Sequence, residues 1–156
     1  MFKNNTLILW RHTDAADAAF GESDRERALT EKGQREAQRM AAWLNQRLPA
    51  ETVLLVSPAL RAQQTAKELK RAYLTCAALD TSTDCAAVLK AIGATKSEGV
   101  VLVVGHQPTL GEVASLLLTG TAGALSVKKG AAWCLGIKRE RKSRAVLQAV
   151  MSPELL

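Results

Sequence analysis

Two apolar runs, Leu7-Ile8-Leu9-Trp10 and Val100-Val101-Leu102-Val103-Val104, carry no polar residue at alternate positions. A strand with one face in water alternates, so unbroken runs of this length read as strands buried on both faces, the mark of a parallel sheet covered by helices on each side. Each run leads into a histidine, through Arg11-His12 and Gly105-His106, and these are the only two histidines of the chain. Ligands of open parallel sheets bind where strands end, so two histidines at equivalent strand ends imply one shared site.

The segments between fit that sheet. After a first strand at Leu7 to Trp10, the stretch from Thr13 to Leu29 is irregular, charged and alanine-rich, as a functional loop would be. Thr30 is a good N-cap, and Ala37, Met40, Ala41, Leu44 and Leu48 recur at helical spacing until Pro49. A second strand spans Thr52 to Val56, and Ser57-Pro58 opens a second helix running to about Tyr73. Thr83 or Asp84 caps a short helix carrying Ala87, Val88, Ala91 and Ile92; a third strand covers Gly99 to Val104; a further helix begins near Pro108 and ends at Gly120 to Gly123. Gly130 to Ile137 and Ala145 to Met151 form two strands, most simply an antiparallel hairpin. The expected fold is α/β: a three-layer sandwich with a mostly parallel central sheet, helices on both faces and a C-terminal antiparallel hairpin.

The 156 residues, 47% of them apolar, suffice for one core, and residues 1–156 read as one domain without repeat or linker. With 21 Lys and Arg against 15 Asp and Glu, the net charge of +6 favours an anionic partner. Nucleic acid is not expected, because aromatics are only 4% and no basic run is interleaved with stacking rings. The densest basic stretch, Lys138 to Arg144, reads as a solvated hairpin turn. Cys76, Cys85 and Cys134 form no C-x-x-C pair, which fits a reduced, cytoplasmic protein. No secretory signal and no membrane-spanning run is present, so no membrane partner is expected.

Arg11 and His12 follow the first strand, Arg61 lies in the first helical turn after the second, and His106 follows the third. Alone, any of the four reads as an ordinary turn or surface residue; together, after three successive parallel strands, they converge on one sheet edge. Two guanidinium groups facing one pocket suit a tetrahedral dianion, and the helix starts near Arg61 and Pro108 add positive dipole ends. A neutral histidine there can attack phosphorus and carry it covalently, while a second donates a hydrogen bond to the transition state. Neither task needs a metal or cofactor. Trp10, Trp43 and Trp133 read as core or pocket wall, and no G-x-G-x-x-G or Walker A loop supports nucleotide binding.

Arg11-His12-Thr13-Asp14-Ala15, Arg27-Ala28-Leu29-Thr30-Glu31-Lys32-Gly33, Ser57-Pro58-Ala59-Leu60-Arg61-Ala62-Gln63-Gln64-Thr65-Ala66 and Val104-Gly105-His106-Gln107-Pro108 carry a resemblance. In these motifs, over nearly its whole length, the chain resembles the histidine phosphatase superfamily, also called phosphoglycerate mutase-like, and within it the small SixA-type phosphohistidine phosphatases. The resemblance implies that His12 is the nucleophile, that Arg11 and Arg61 bind the phosphoryl group, and that His106 completes the pocket. It also implies hydrolysis in two steps through phospho-His12. The short chain leaves little room for a lid, which suits a phosphorylated side chain on another protein, such as a histidine phosphotransfer domain.

Two positions depart from the family pattern. Thr13 replaces a glycine or alanine, placing a β-branched hydroxyl residue beside His12. The general-acid region, Leu79 to Asp84, lacks the proline of the SixA-type pattern and leaves Asp80, Asp84 or no residue for that role. A phosphohistidine substrate lessens the need for an acid, because imidazole leaves more readily than an alkoxide. The competing readings are a small-molecule phosphomonoesterase and a catalytically weak phosphoprotein-binding module.

Overall fold

A computed structural model describes residues 1–138 and 144–156. Its elements are β1 (Thr6–Arg11), α1 (Glu31–Asn45), β2 (Val53–Val56), α2 (Leu60–Lys67), β3 (Leu74–Thr75), α3 (Cys85–Ala94), β4 (Val100–Gly105), α4 (Thr109–Thr119), β5 (Ala132–Lys138) and β6 (Arg144–Met151). The strands form one mixed sheet in the order β3-β2-β4-β1-β5-β6. β1, β4, β2 and β3 pair in parallel, whereas β5 joins β1, and β6 joins β5, antiparallel. The mostly parallel sheet with its C-terminal antiparallel pair is the fold expected from the sequence. The basic turn expected between β5 and β6 falls at residues 139–143, outside the described residues.

The unbroken apolar runs are explained by the period of two of a strand. Ile8 and Trp10 of β1, with Val100, Leu102 and Val104 of β4, face a layer made by Met40, Ala41 and Leu44 of α1 and Ala62 and Ala66 of α2. Leu7 and Leu9, with Val101 and Val103, face the opposite layer, built from Val88 of α3 and Leu110, Val113 and Ala114 of α4. Both sides of the central strands are therefore dry. Truncating one of these fully buried leucines to alanine would cost roughly 2–5 kcal/mol.

Two expectations change. The second helix ends at Lys67, not near Tyr73, because Lys70 takes the left-handed φ of 53°, which a continuing helix excludes. Beyond it, Leu74–Thr75 adds a two-residue edge strand on Leu55 and Val56, so among the described residues the sheet has six strands where five were read. Both of its side chains are exposed, leaving no alternation to detect.

The topology also places a crevice. β1 and β4 are neighbours, yet the helix after β1 lies on one face of the sheet and the helix after β4 on the other. Adjacent parallel strands whose connections leave to opposite sides open a gap at their C-terminal ends.

Candidate active site

His12 and His106 sit at that gap. Arg11 and Gly105 are direct partners in the β1–β4 ladder, so the next residue on each strand is a histidine at the same level. The rings lie 5.2 Å apart between centroids, inclined at 51°. Arg61 joins them from the first turn of α2, its Nε donating to His12 Nε2 at 3.3 Å. His12, His106 and Arg61 are 6%, 6% and 4% exposed, respectively. Arg11 is anchored by a bond from Nη1 to the Val127 carbonyl at 2.9 Å, and its Nε is buried with no partner among the described residues. The structure thus brings together all four residues singled out from the sequence.

Hydrogen bonding orients both rings and fixes the tautomer of His12. His12 Nδ1 lies 2.7 Å from the Thr13 carbonyl oxygen, which can only accept. The ring proton is therefore on Nδ1, and Nε2 keeps its lone pair toward Arg61. His106 Nε2 is 2.7 Å from Ser57 Oγ. That hydroxyl accepts from Ala59 N at 3.2 Å and keeps both its hydrogen and a second lone pair for His106 Nε2, so it holds the ring in place in either tautomer. His106 Nδ1 is buried without a partner among the described residues.

Neither ring is readily protonated. Burial first, then the nearby charges of His106, Arg61 and Arg11, lower the His12 pKa from 6.5 to about 3, against the opposing pull of the Thr13 carbonyl. Burial and then Arg61 and Arg11 bring His106 down to about 4, with Asp24 and Asp80 resisting. Near neutrality the pocket presents two neutral imidazoles beside two guanidinium groups, a setting for an anion with a nucleophile already deprotonated.

The sequence motifs are the scaffolding of this pocket. Thr30 caps α1 through the Gly33 amide at 3.0 Å and donates from its hydroxyl to Asp14 Oδ2 at 2.8 Å, pinning the loop that follows His12. Gly33 is required by contact, since a Cβ there would lie 1.9 Å from the Asp14 carbonyl oxygen. On α2, Gln64 Oε1 accepts from the Leu29 amide at 2.7 Å, and Ala62 and Ala66 are fully buried under the sheet. Thr65 donates to the Arg61 carbonyl at 2.7 Å and takes the Thr13 amide at 3.3 Å. With the Thr65 hydrogen committed, the Thr13 hydroxyl, 3.4 Å away, donates to Thr65. Thr13 therefore turns its polar group toward α2.

One residue of the site escaped sequence reasoning. Asp24 accepts from Arg61 Nη1 through its carbonyl at 2.7 Å and from Arg61 Nη2 through its carboxylate at 3.0 Å, and it also takes Arg27 Nε at 2.9 Å. It begins a short 3-10 turn, Asp24–Glu26, whose start is held by Glu26 accepting from the Ser23 amide at 2.9 Å and hydroxyl at 2.7 Å. The Ser-x-x-Glu spacing was the available signal for a turn there. Of the two acid candidates, Asp84 caps α3 by accepting from the Ala87 amide at 2.8 Å, and Asp80 is paired with Arg25 of the same 3-10 turn.

Comparison with known proteins adds to this geometry. The model of the Histidine phosphatase superfamily (branch 1) matches residues 7–84. Phosphohistidine phosphatase SixA of Escherichia coli (strain K12) is 38% identical over 128 residues, covering 73% of this chain and 74% of that protein. An uncharacterized protein of Picosynechococcus is 34% identical over 157 residues, covering 96% and 92% of the two chains. The solved structure of the protein histidine phosphatase SixA complexed with tungstate superposes with a TM-score of 0.79 at 30% identity, over 96% of this chain and 98% of that one. Matched by the family model across every motif from β1 to the start of α3, and by these relatives above 30% identity, the chain belongs to the histidine phosphatase superfamily and is a phosphatase.

Proposed function

We propose that residues 1–156 act as one domain that removes a phosphoryl group through a covalent phospho-His12 intermediate, with phosphohistidine in a signalling protein as substrate. The observation that carries this reading is the His12 Nδ1 bond to the Thr13 carbonyl, which leaves Nε2 unprotonated among Arg61, Arg11 and His106. In the first step Nε2 forms a bond to phosphorus while the bond to the leaving imidazole breaks, and solvent protonates that imidazole. Arg11 and Arg61 hold the equatorial oxygens, and His106 Nδ1–H donates to one of them. In the second step water attacks phosphorus, the His12–phosphorus bond breaks, and inorganic phosphate leaves with the water's oxygen.

Similarity to a protein named phosphohistidine phosphatase supports the substrate class. The commitment of Asp84 to a helix cap supports it too, because an alkoxide leaving group would need an acid; Asp80, whose charge reaches His106 and whose partner Arg25 is exposed, is the residue a phosphomonoesterase would use. The binding-module reading loses its motive, since the Thr13 hydroxyl is occupied by Thr65. A histidine phosphotransfer domain is the fitting partner for an open site, and the three free cysteines are in keeping with the cytoplasm.

Rapid-quench sampling with a phosphohistidine peptide tests the proposal. Acid-labile phosphate should appear on the wild type at near-stoichiometric level and be absent from His12→Ala. Turnover of sugar phosphates but not of the peptide would overturn the substrate assignment, and turnover without phosphoenzyme would overturn the intermediate.

A further inference from the structure

On the Arg11 side of the histidines lies a cavity of about 470 Å³, faced by Arg11, Lys32, Arg39, Lys128 and Lys129 against two carboxylates. Its cations are held lightly. Lys32 pairs with Glu36 at 3.7 Å and Lys128 with Glu154, each lysine side chain 70% exposed; Lys129 pairs with Asp14 at 3.0 Å at 51% exposure. Exposed pairs of this kind contribute about 0–1 kcal/mol and exchange readily for another carboxylate. Among the described residues, Arg39 donates only to the Leu156 carbonyl oxygen, at 3.5 Å. Arg11 is the link to the histidines, because it lines the cavity while its charge acts on both His12 and His106.

We infer that this cavity is a subsite for an acidic side chain that flanks the phosphorylated residue of the protein substrate. The inference rests on the phosphoprotein reading above and names what else in the partner is recognised. Lysines on flexible stems, drawn from α1 and from the segment before β5, suit carboxylates of variable placement, whereas a second phosphate would favour a rigid arginine fork. No aromatic side chain lines the cavity, so it offers nothing on which a nucleic-acid base could stack. The net charge of +6 steers an acidic partner toward the same protein.

The test uses three peptides that carry one phosphohistidine flanked on both sides by Glu, Ala or Lys, their unphosphorylated counterparts, and free phosphohistidine. Wild type is compared with the Arg39→Ala/Lys128→Ala double variant. The Glu-flanked peptide should have a kcat/KM about three- to tenfold above the Lys-flanked one, expressed in KM, as two exposed ion pairs would give. In the double variant the ratio should fall below about twofold while free phosphohistidine turns over unchanged. Titration with the unphosphorylated peptides should give the same ranking without any chemistry, so loss of hydrolysis with this ranking intact counts against the substrate reading alone. Equal binding of Glu- and Lys-flanked peptides, a ranking that survives in the double variant, or tighter binding of a single-stranded oligonucleotide would each overturn the subsite.

Discussion

Asp24 occupies both terminal nitrogens of Arg61, one with its backbone carbonyl and the other with its carboxylate. The carboxylate contact places a negative charge on the guanidinium that should meet an incoming phosphoryl group. The aspartate side chain is 57% exposed and the arginine 5%, so the anion is the movable partner. An arriving phosphate must displace that carboxylate or share the guanidinium with it.

Replacing Asp24 by Asn keeps the shape and the backbone contact while removing the charge. Inorganic phosphate should then inhibit more tightly, with Ki lowered about two- to fivefold, the scale of one partly exposed charge interaction. Steady-state inhibition by phosphate measures it; an unchanged or raised Ki would show that Asp24 serves only to hold Arg61 in place.

The low pKa values of the two histidines set the pH response of activity. With His12 at about 3 and His106 at about 4, the acid limb of kcat/KM, which reports the free enzyme, should lie below about pH 5 rather than near 6.5. A limb centred near 6.5 would mean that one imidazole is protonated in the free enzyme. Stability follows from the same shifts. Both groups bind a proton more readily in the unfolded chain, so their contribution is whole above pH 6.5 and is lost as pH falls toward 4 and then 3. The slope approaches about 1.4 kcal/mol per pH unit for each histidine, and urea midpoints from pH 7 to pH 4.5 should be shallower for His12→Gln than for wild type.

Gly33 and Gly93 make a matched pair on two helices. A Cβ at Gly33 would collide with the Asp14 carbonyl oxygen, whereas one at Gly93 meets nothing within 4 Å. Gly33→Ala should destabilise by roughly 1–3 kcal/mol and lower kcat/KM as well, because the displaced loop carries the carbonyl that orients His12. Gly93→Ala should stabilise by about 0.5–1 kcal/mol with activity unaltered. Thermal melts and kinetics on both variants check the contrast.

Ser57 reaches the chemistry through His106 and, by accepting from the Ala59 amide, through the start of the helix that carries Arg61. Ser57→Ala removes the partner of His106 Nε2 and with it the contact that orients the ring. We expect kcat to drop about tenfold with KM little changed, as for loss of a contact felt mainly in the transition state. Ser57→Thr should restore part of the loss, and a purely structural role would instead appear as a lowered melting temperature with kcat intact.

The central strands were legible because burial on both faces writes itself as unbroken hydrophobicity, as Ile8 and Leu9 show by facing opposite layers. Thr30 was legible as a helix cap for an equally local reason, and the cap of α3 was narrowed to Thr83 or Asp84, of which Asp84 is the one that caps. β3 was not legible, because its two exposed residues are placed on the sheet by backbone pairing, with one side-chain bond from Gln63 to the Thr75 hydroxyl, and neither leaves a pattern of side-chain types. The same distinction applies at the site. Arg11, His12, Arg61 and His106 each follow or adjoin a recognisable strand end, but Asp24 lies in an irregular loop and reaches Arg61 across 37 positions of sequence. No period or spacing encodes a contact of that kind.

The ladder pairing of Arg11 with Gly105 also bears on what this pocket can become. Since each histidine is the residue immediately beyond that rung, the 5.2 Å between their rings follows the spacing of hydrogen-bonded strands, about 4.8 Å. The opening for phosphorus is thus gauged by the peptide backbone and is insensitive to most side-chain replacement. New substrates can be accommodated by rebuilding the loops around the opening, while the gauge that fits one tetrahedral phosphoryl group stays the same.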